Sequence, residues 1–579
     1  MQQDSSSGTS RWGSLPGMMF GLARKWADRP MLTAWRGASW ETIPWGGFAM
    51  KVASVAVWLR EQGVAPGDRV LLVSENRPEF LIADVAIMTI GAVTVPTYVT
   101  NTVADHAHVL GDSGARVAIV SSRALARTVS DAAGQVGGLD LLVCMEAGCE
   151  APNSARLAEW GVVEATPADV PMLMAEAEQI PPGRLACLIY TSGTGGAPKG
   201  VMLPHRALLA NREGVRPLIE RLDVAGQRYL SFLPMSHSYE HTVGGFLLPS
   251  FGMEVVYSRG AERLGAEMAE FKPAVITAVP RLFEVLRARI SAQVEKDGGL
   301  KQKLFDRALA LGLRKLDGPP LGLLERVQDA VLDRLVRNKI RARFGGNVRA
   351  LVSGSARLDP ELSGFFLALG LPLIQGYGQS EAGPVISVNL PWNNNRHSVG
   401  PPVHGVEVRI ASDGEILVAG ELLMDGYWNN PEATASALFT DEGESRIWLR
   451  TGDVGRLEEG RLIITDRKRD FIKLKGGDMV APSKLEALLV GEPEIAQAVA
   501  AGEGMSGVVA LLVAAEGHAD SLSAAVARVN AKLSPVERIR RWQAVPEPFT
   551  VEGGTLTPTM KVKRRVVLER YAASVNALG

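Results

Sequence analysis

Short continuous apolar runs alternate with segments in which apolar residues recur every three to four positions, and the alternation repeats over most of the chain. Val52, Val55, Ala56 and Leu59 fall on one helical face, which the glycine of Gln62-Gly63 can close. Residues 69–73 (Arg-Val-Leu-Leu-Val) read as a strand, Phe80 to Thr89 as a helix, and 92–95 and 117–120 as further buried strands. Runs that are apolar throughout predict strands buried on both faces. The expected class is α/β: a mainly parallel sheet covered by helices on both sides. Residues 185–189 and 201–203 read as two strands around a polar loop. From Gly405 to Tyr427 the runs shorten, as in a small β-subdomain. A strand over 508–513 and a helix over 522–533 predict a small α+β unit at the end. Residues 281–343 are charged and helix-rich, broken at Gly298-Gly299 and Gly318-Pro319-Pro320, and read as a solvated helical cover.

Length and charge narrow this picture. At 579 residues the chain exceeds one compact core, so two or more domains are expected. A formal charge of -1 leaves no basic surplus for a nucleic-acid partner. Three cysteines, Cys144, Cys149 and Cys187, suit a reducing compartment better than a disulfide framework. Residues 1–15 read as a mobile tail, and the polar start lacks the basic and apolar regions of a signal peptide. The apolar stretch from Val85 to Val99 is cut by Gly91 and Pro96 and is too short to span a bilayer. A soluble, cytoplasmic protein is expected. Peripheral contact at the inner membrane face and the oligomeric state, monomer or homodimer, stay open.

The candidate chemistry centres on residues 190–200, Tyr-Thr-Ser-Gly-Thr-Gly-Gly-Ala-Pro-Lys-Gly. Glycines let backbone N–H groups approach an anion, and hydroxyls and a lysine add donors and charge, which suits a polyphosphate. It is not the P-loop, whose Gly-Lys-Ser/Thr opens a helix; here Pro198 and Gly200 flank Lys199 and place it in a loop. His237 and His241 have a spacing that could hold a metal, but no third ligand of suitable spacing is near. Residues 351–356 and 374–381 each run an apolar strand into a small-residue turn, where open α/β sheets bind ligands. Arg450-Thr451-Gly452-Asp453, the charge run 464–473 and the basic end at Thr557-Pro558-Thr559-Met560-Lys561-Val562-Lys563-Arg564-Arg565 would each be unremarkable alone.

Together and in this order the motifs resemble those of the adenylate-forming superfamily of acyl-CoA synthetases, luciferases and peptide-synthetase adenylation domains. The resemblance covers about Leu15 to Leu568. It implies a large ATP- and acyl-binding domain over 16–467 and a small mobile domain over 468–579, with a pivot at Arg469. Thr191, Ser192, Gly193, Thr194, Gly195, Gly196 and Lys199 then correspond to the phosphate loop, with Gly195 where a threonine is usual. Gly354, Ser355 and Ala356 lie against adenine, and the segment Gln375, Gly376, Tyr377, Gly378, Gln379 and Ser380 carries the aromatic, Tyr377, that stacks on its other face. Glu381, with Thr191, holds Mg²⁺. Asp453 and Arg467 take the ribose, Lys473 leads the second domain, His237 lies beside the acyl carboxylate, and Lys561 enters the site during adenylation. His237, Thr194, Lys199 and Lys561 are the residues expected to act in catalysis.

The helical segment 281–343 and the Thr557 to Lys561 ending are closest to long-chain fatty acyl-CoA synthetases. The implied reaction joins a fatty acid to ATP, giving acyl-AMP and pyrophosphate, and CoA then displaces AMP. Lys563, Arg564 and Arg565 would meet CoA phosphates. Three alternatives stay open: a ligase for another carboxylic acid, an acyl-AMP ligase loading a carrier protein, and a degenerate nucleotide-binding module.

Overall fold

The computed structural model describes residues 12–150, 155–191, 197–468, 470–557 and 560–579. Two eight-stranded sheets form the larger part of the chain. In the first, Leu373–Gly378, Ala350–Ser353, Val275–Ala278, Arg228–Ser231, Glu254–Tyr257 and Pro30–Arg36 lie side by side and parallel. Antiparallel strands Val385–Val388 and Ser39–Pro44 close its edges. In the second, Leu185–Thr191, Val93–Thr97, Arg69–Val73, Val117–Val120, Leu141–Cys144 and Arg156–Glu159 run parallel in that order.

The helix Pro78–Thr89 is buried along its whole length. A helix apolar on all sides has no solvent face to offer, and this one belongs to a hydrophobic cluster that draws on both sheets. The two acids it carries are both partnered: Glu79 with Arg77 at 2.8 Å and Asp84 with His241 at 2.9 Å.

A five-stranded antiparallel sheet follows, ending in the long hairpin Ile447–Glu458 and Arg461–Arg467. The last part carries the three-stranded sheet Ile495–Ala501, Val508–Ala514 and Ile539–Ala544, with helices Pro482–Val490 and Leu522–Ala531 and its own buried cluster. The class expected from the patterning, α/β with a small β-subdomain and an α+β end, is the class observed.

Three local expectations change. Ser14 and Leu15 are buried rather than part of a tail, because the Ser14 hydroxyl caps the helix Leu15–Lys25 by accepting from Gly17 N–H at 3.0 Å. Cys144 and Cys149, five positions apart, are joined as a disulfide, which a count of three cysteines could not reveal. Lys199 opens the strand Lys199–Pro204, pairing opposite Thr191, so it sits on the hairpin and not in a free loop.

Candidate active site

The parallel strands of the first sheet end together. Gly354 and Ser355 follow Ala350–Ser353, and Gly376 to Gly378 finish Leu373–Gly378, so small residues line up at one sheet edge. Ser355 has φ +65, the left-handed region that turns the chain away from the strand. A Cβ on Gly354 would sit 2.9 Å from the Tyr239 ring, so the aromatic can approach this backbone so closely only at a glycine. One cavity of about 2160 Å³ opens along this edge, reached also by Thr191, Lys199, His237, Gln379, Ser380, Glu381, Arg467 and Lys561.

The polar end is held by hydrogen bonds between distant segments. Tyr377 O–H donates to Asp453 at 2.7 Å, and Arg467 Nε lies 3.4 Å from the other carboxylate oxygen. Burial pushes the Asp453 carboxyl up, opposed by the charge of Arg467 and the Tyr377 bond. Tyr427 O–H donates to Glu381 Oε1 at 2.8 Å, and Lys199 Nζ lies 5.0 Å over the Tyr427 ring. Ser380 shares a 2.7 Å hydrogen bond with Ser238.

His237 Nδ1 accepts the Tyr239 N–H at 3.1 Å, which leaves its proton on Nε2. Burial, and then the charge of Lys561, lower its pKa to about 3, so the ring is a neutral donor at any ordinary pH. Lys561 itself lies inside the cavity, half-buried. Desolvation and the nearby Arg467 bring its pKa down to about 8 against the opposing pull of Asp453. The end of the chain is thus seated in the cleft of the larger part.

A second arm of the cavity is apolar. Val215, Leu218, Ile219 and Leu222 of the helix His205–Leu222 face Val243 and Leu247, with Val275, Ala350, Val352 and Ile374 along the sheet. From Gly354 back to Ala350 the arm follows four residues of strand, about 13 Å at ~3.3 Å each. Thr277 is a polar point on this wall. Its hydroxyl donates at 3.0 Å to Glu240, which also accepts from Tyr229 and Ser231 and whose pKa burial raises to about 7. His241 does not join His237. It opens the π-helical turn His241–Leu247 and faces Asp84, and no cluster of three metal-ligating side chains occurs among the described residues.

Of the sequence candidates, Ser192, Gly193, Thr194, Gly195, Gly196 and Arg469 lie outside the described residues. Ala356 is exposed beyond the wall, Gln375 is buried behind it, and Lys473 is exposed, its backbone N–H bonded to Glu503. At the mouth, Arg564 is held by Glu486 and Arg565 by Glu569, whereas Lys563 makes no ion pair among the described residues. Sequence reasoning missed Tyr98, Tyr239 and Tyr427. The only signal for Tyr427 was an aromatic pair, Tyr427-Trp428, just beyond a glycine.

Comparisons with known proteins show the family and the fold. The profile described as AMP-binding enzyme matches residues 22–428, and that of the AMP-binding enzyme C-terminal domain matches 469–578. Long-chain-fatty-acid--CoA ligase FadD15 of Mycobacterium tuberculosis is 36% identical, covering 93% of this chain and 92% of its own. Long-chain-fatty-acid--CoA ligase 5 of Mus musculus is 28% identical over 87% of this chain and 79% of its own. Among solved structures, the adenylation domain of a carboxylate reductase from Mycobacterium chelonae matches with TM-score 0.73 at 23% identity, covering 98% of this chain and 91% of that one. O-succinylbenzoate Coenzyme A synthetase from Bacillus subtilis, in complex with AMP, matches with TM-score 0.69 at 19% identity, covering 95% and 97%. Matched over both of its parts, the chain belongs to the AMP-binding enzyme family.

Proposed function

We propose that the protein is an AMP-forming long-chain fatty acid:CoA ligase. The observation that carries the reading is one cavity joining a polar, cation-bearing end to an apolar arm. Its volume exceeds the roughly 300–1,000 Å³ of an ordinary small-molecule site, as a site for a nucleotide and an acyl chain requires.

In this reading the acid lies in the apolar arm with its carboxylate at His237, whose Nε2–H donates to one oxygen and leaves the other free to attack. ATP lies across the sheet edge, its adenine between Tyr377 and the Gly354-Ser355 turn and its ribose on Asp453. Arg467, Lys199 and Lys561 surround the phosphates. Attack at the α-phosphorus forms the mixed anhydride and releases pyrophosphate. Such transfer needs positioning and charge neutralisation more than covalent chemistry from the protein. The donor set suits Mg²⁺, which takes one or two protein oxygens together with substrate phosphates. Glu381, with one oxygen already fixed by Tyr427, and Thr191 would hold it. When bound it supplies neutralisation of phosphate charge. CoA enters at the mouth, where Lys563 makes no ion pair among the described residues.

The test is pyrophosphate and thioester formation over a panel of acids, with and without CoA. kcat/KM should rise from about C8 towards C16 as each CH₂ gains ~0.8 kcal/mol on burial. Equal or better use of acetate or benzoate would overturn the reading.

A further inference from the structure

Among the described residues eighteen large apolar side chains are exposed, and seven of them fall between residues 300 and 335: Leu300, Leu316, Leu323, Leu324, Val327, Val331 and Leu335. Leu323 is 81%, Leu324 87% and Val327 65% exposed, values that no packing in this chain explains. Spaced by three and four residues, Leu324, Val327, Val331 and Leu335 form one stripe along the helix Leu323–Leu332 and the π-helical turn that continues it. Leu316 and Leu323 are exposed on either side of the exposed Gly318-Pro319-Pro320 turn.

The charges beside this stripe are one-sided. On the helix Leu323–Leu332 and its π-helical continuation each acid is already neutralised: Glu325 by Arg314, Asp329 by Lys315 and Arg337, and Asp333 by Arg341. Arg326, Arg334 and Lys339 are exposed and make no ion pair among the described residues. Arg334, three residues from Val331 and seven from Val327, borders the stripe, and Arg326 lies three residues from the exposed Leu323.

We propose that this stripe is a docking surface for an anionic lipid bilayer. An apolar face flanked by uncompensated cations on a surface helix is the arrangement that lies in a membrane interface, with leucines among the acyl chains and cations on phosphate headgroups. Self-association fits worse, since a two-fold partner would bring the same three cations against their own copies. The surface is separate from the cavity, so the inference does not depend on the ligase reading.

The test uses the full chain in flotation with vesicles of phosphatidylcholine, alone or mixed with phosphatidylglycerol. Wild type should bind the mixed vesicles and release at high salt. Leu323→Ser/Leu324→Ser should lower the bound fraction at least about tenfold. Arg334→Glu should weaken binding to mixed vesicles, while Val162→Ser, an exposed apolar position elsewhere, should leave it unchanged. Far-UV circular dichroism and Tm should be the same in all four proteins, which excludes misfolding. Equal flotation of wild type and the double leucine variant would overturn the proposal, as would binding indifferent to the anionic lipid. So would a wild-type dimer in sedimentation that the leucine variant converts to monomer.

Discussion

The two ends of the cavity are built by opposite means. The polar end is assembled from strand ends and turns spread between Thr191 and Lys561, joined by specific bonds such as Tyr377 to Asp453 and Tyr427 to Glu381. The apolar arm is made of the interior faces of a helix and a sheet, with contact surfaces and one hydroxyl, Thr277. Single side chains therefore carry the polar end, while the arm works by accumulated area, and substitutions should separate the two.

The largest separation is expected from Lys561→Ala. It removes one preorganised cation and should slow acyl-AMP formation on the order of 100-fold or more. Acyl-AMP supplied chemically should still react with CoA near the normal rate, and Lys563→Ala should spare adenylation. Equal loss in both half-reactions would mean that Lys561 serves a shared role.

Next comes the arm. Leu218→Trp would fill space along its helical wall, displacing two or three CH₂ groups at ~0.8 kcal/mol each, and kcat/KM for a C16 acid should fall ~30-fold. Turnover of a C8 acid should hardly change. A uniform loss across chain lengths would break the distinction between the ends.

A smaller effect sharpens the polar end. With the Lys561 pKa lowered to about 8, kcat/KM for ATP, which reports the free enzyme, should fall about tenfold per pH unit above that value. Lys561→Arg should remove this alkaline limb, because a guanidinium stays charged.

The smallest change in rate is expected at Glu240, behind the arm. Its folded pKa is raised from 4.5 to about 7, so the folded state holds the extra proton through that window and stability falls as pH rises across it. Glu240→Gln should flatten the Tm against pH between those values, and activity should stay within about twofold.

The same contrast governs what can be read from the sequence. Turns that must approach an anion or turn left-handed demand particular residue types, so the stretches that hold Thr191, Gly354, Tyr377 and Glu381 stand out in the sequence, whereas Asp453, unremarkable alone, is picked out only by the family resemblance. The arm does not, because Val215, Ile219 and Val352 use the same residues that fill any core, and only topology leaves space between them. Tyr427 reads as an ordinary strand aromatic until the antiparallel pairing of Gly426–Tyr427 with Lys199–Pro204 carries it to Glu381. The glycine and proline beside Lys199 read as a loop, yet hairpin pairing runs through Gly200 to Lys199 itself and stops just short of Pro198. Within 281–343 the helices are legible, but a solvated cover does not anticipate its leucine stripe, since periodicity does not say which face meets the core.

The seating of Lys561 beside Arg467 has a consequence for calorimetry. Burial and the charge of the exposed Arg467 both act against the Lys561 ammonium, and near pH 8 the lysine is only partly protonated. A bound polyphosphate would restore its full charge, so nucleotide binding and proton uptake are linked, with about half a proton taken up at that pH. Titrations of ATP in two buffers of different ionisation enthalpy would give different apparent heats, by an amount that vanishes in Lys561→Ala. The domain that delivers the lysine thus turns the arrival of a polyanion into a proton count.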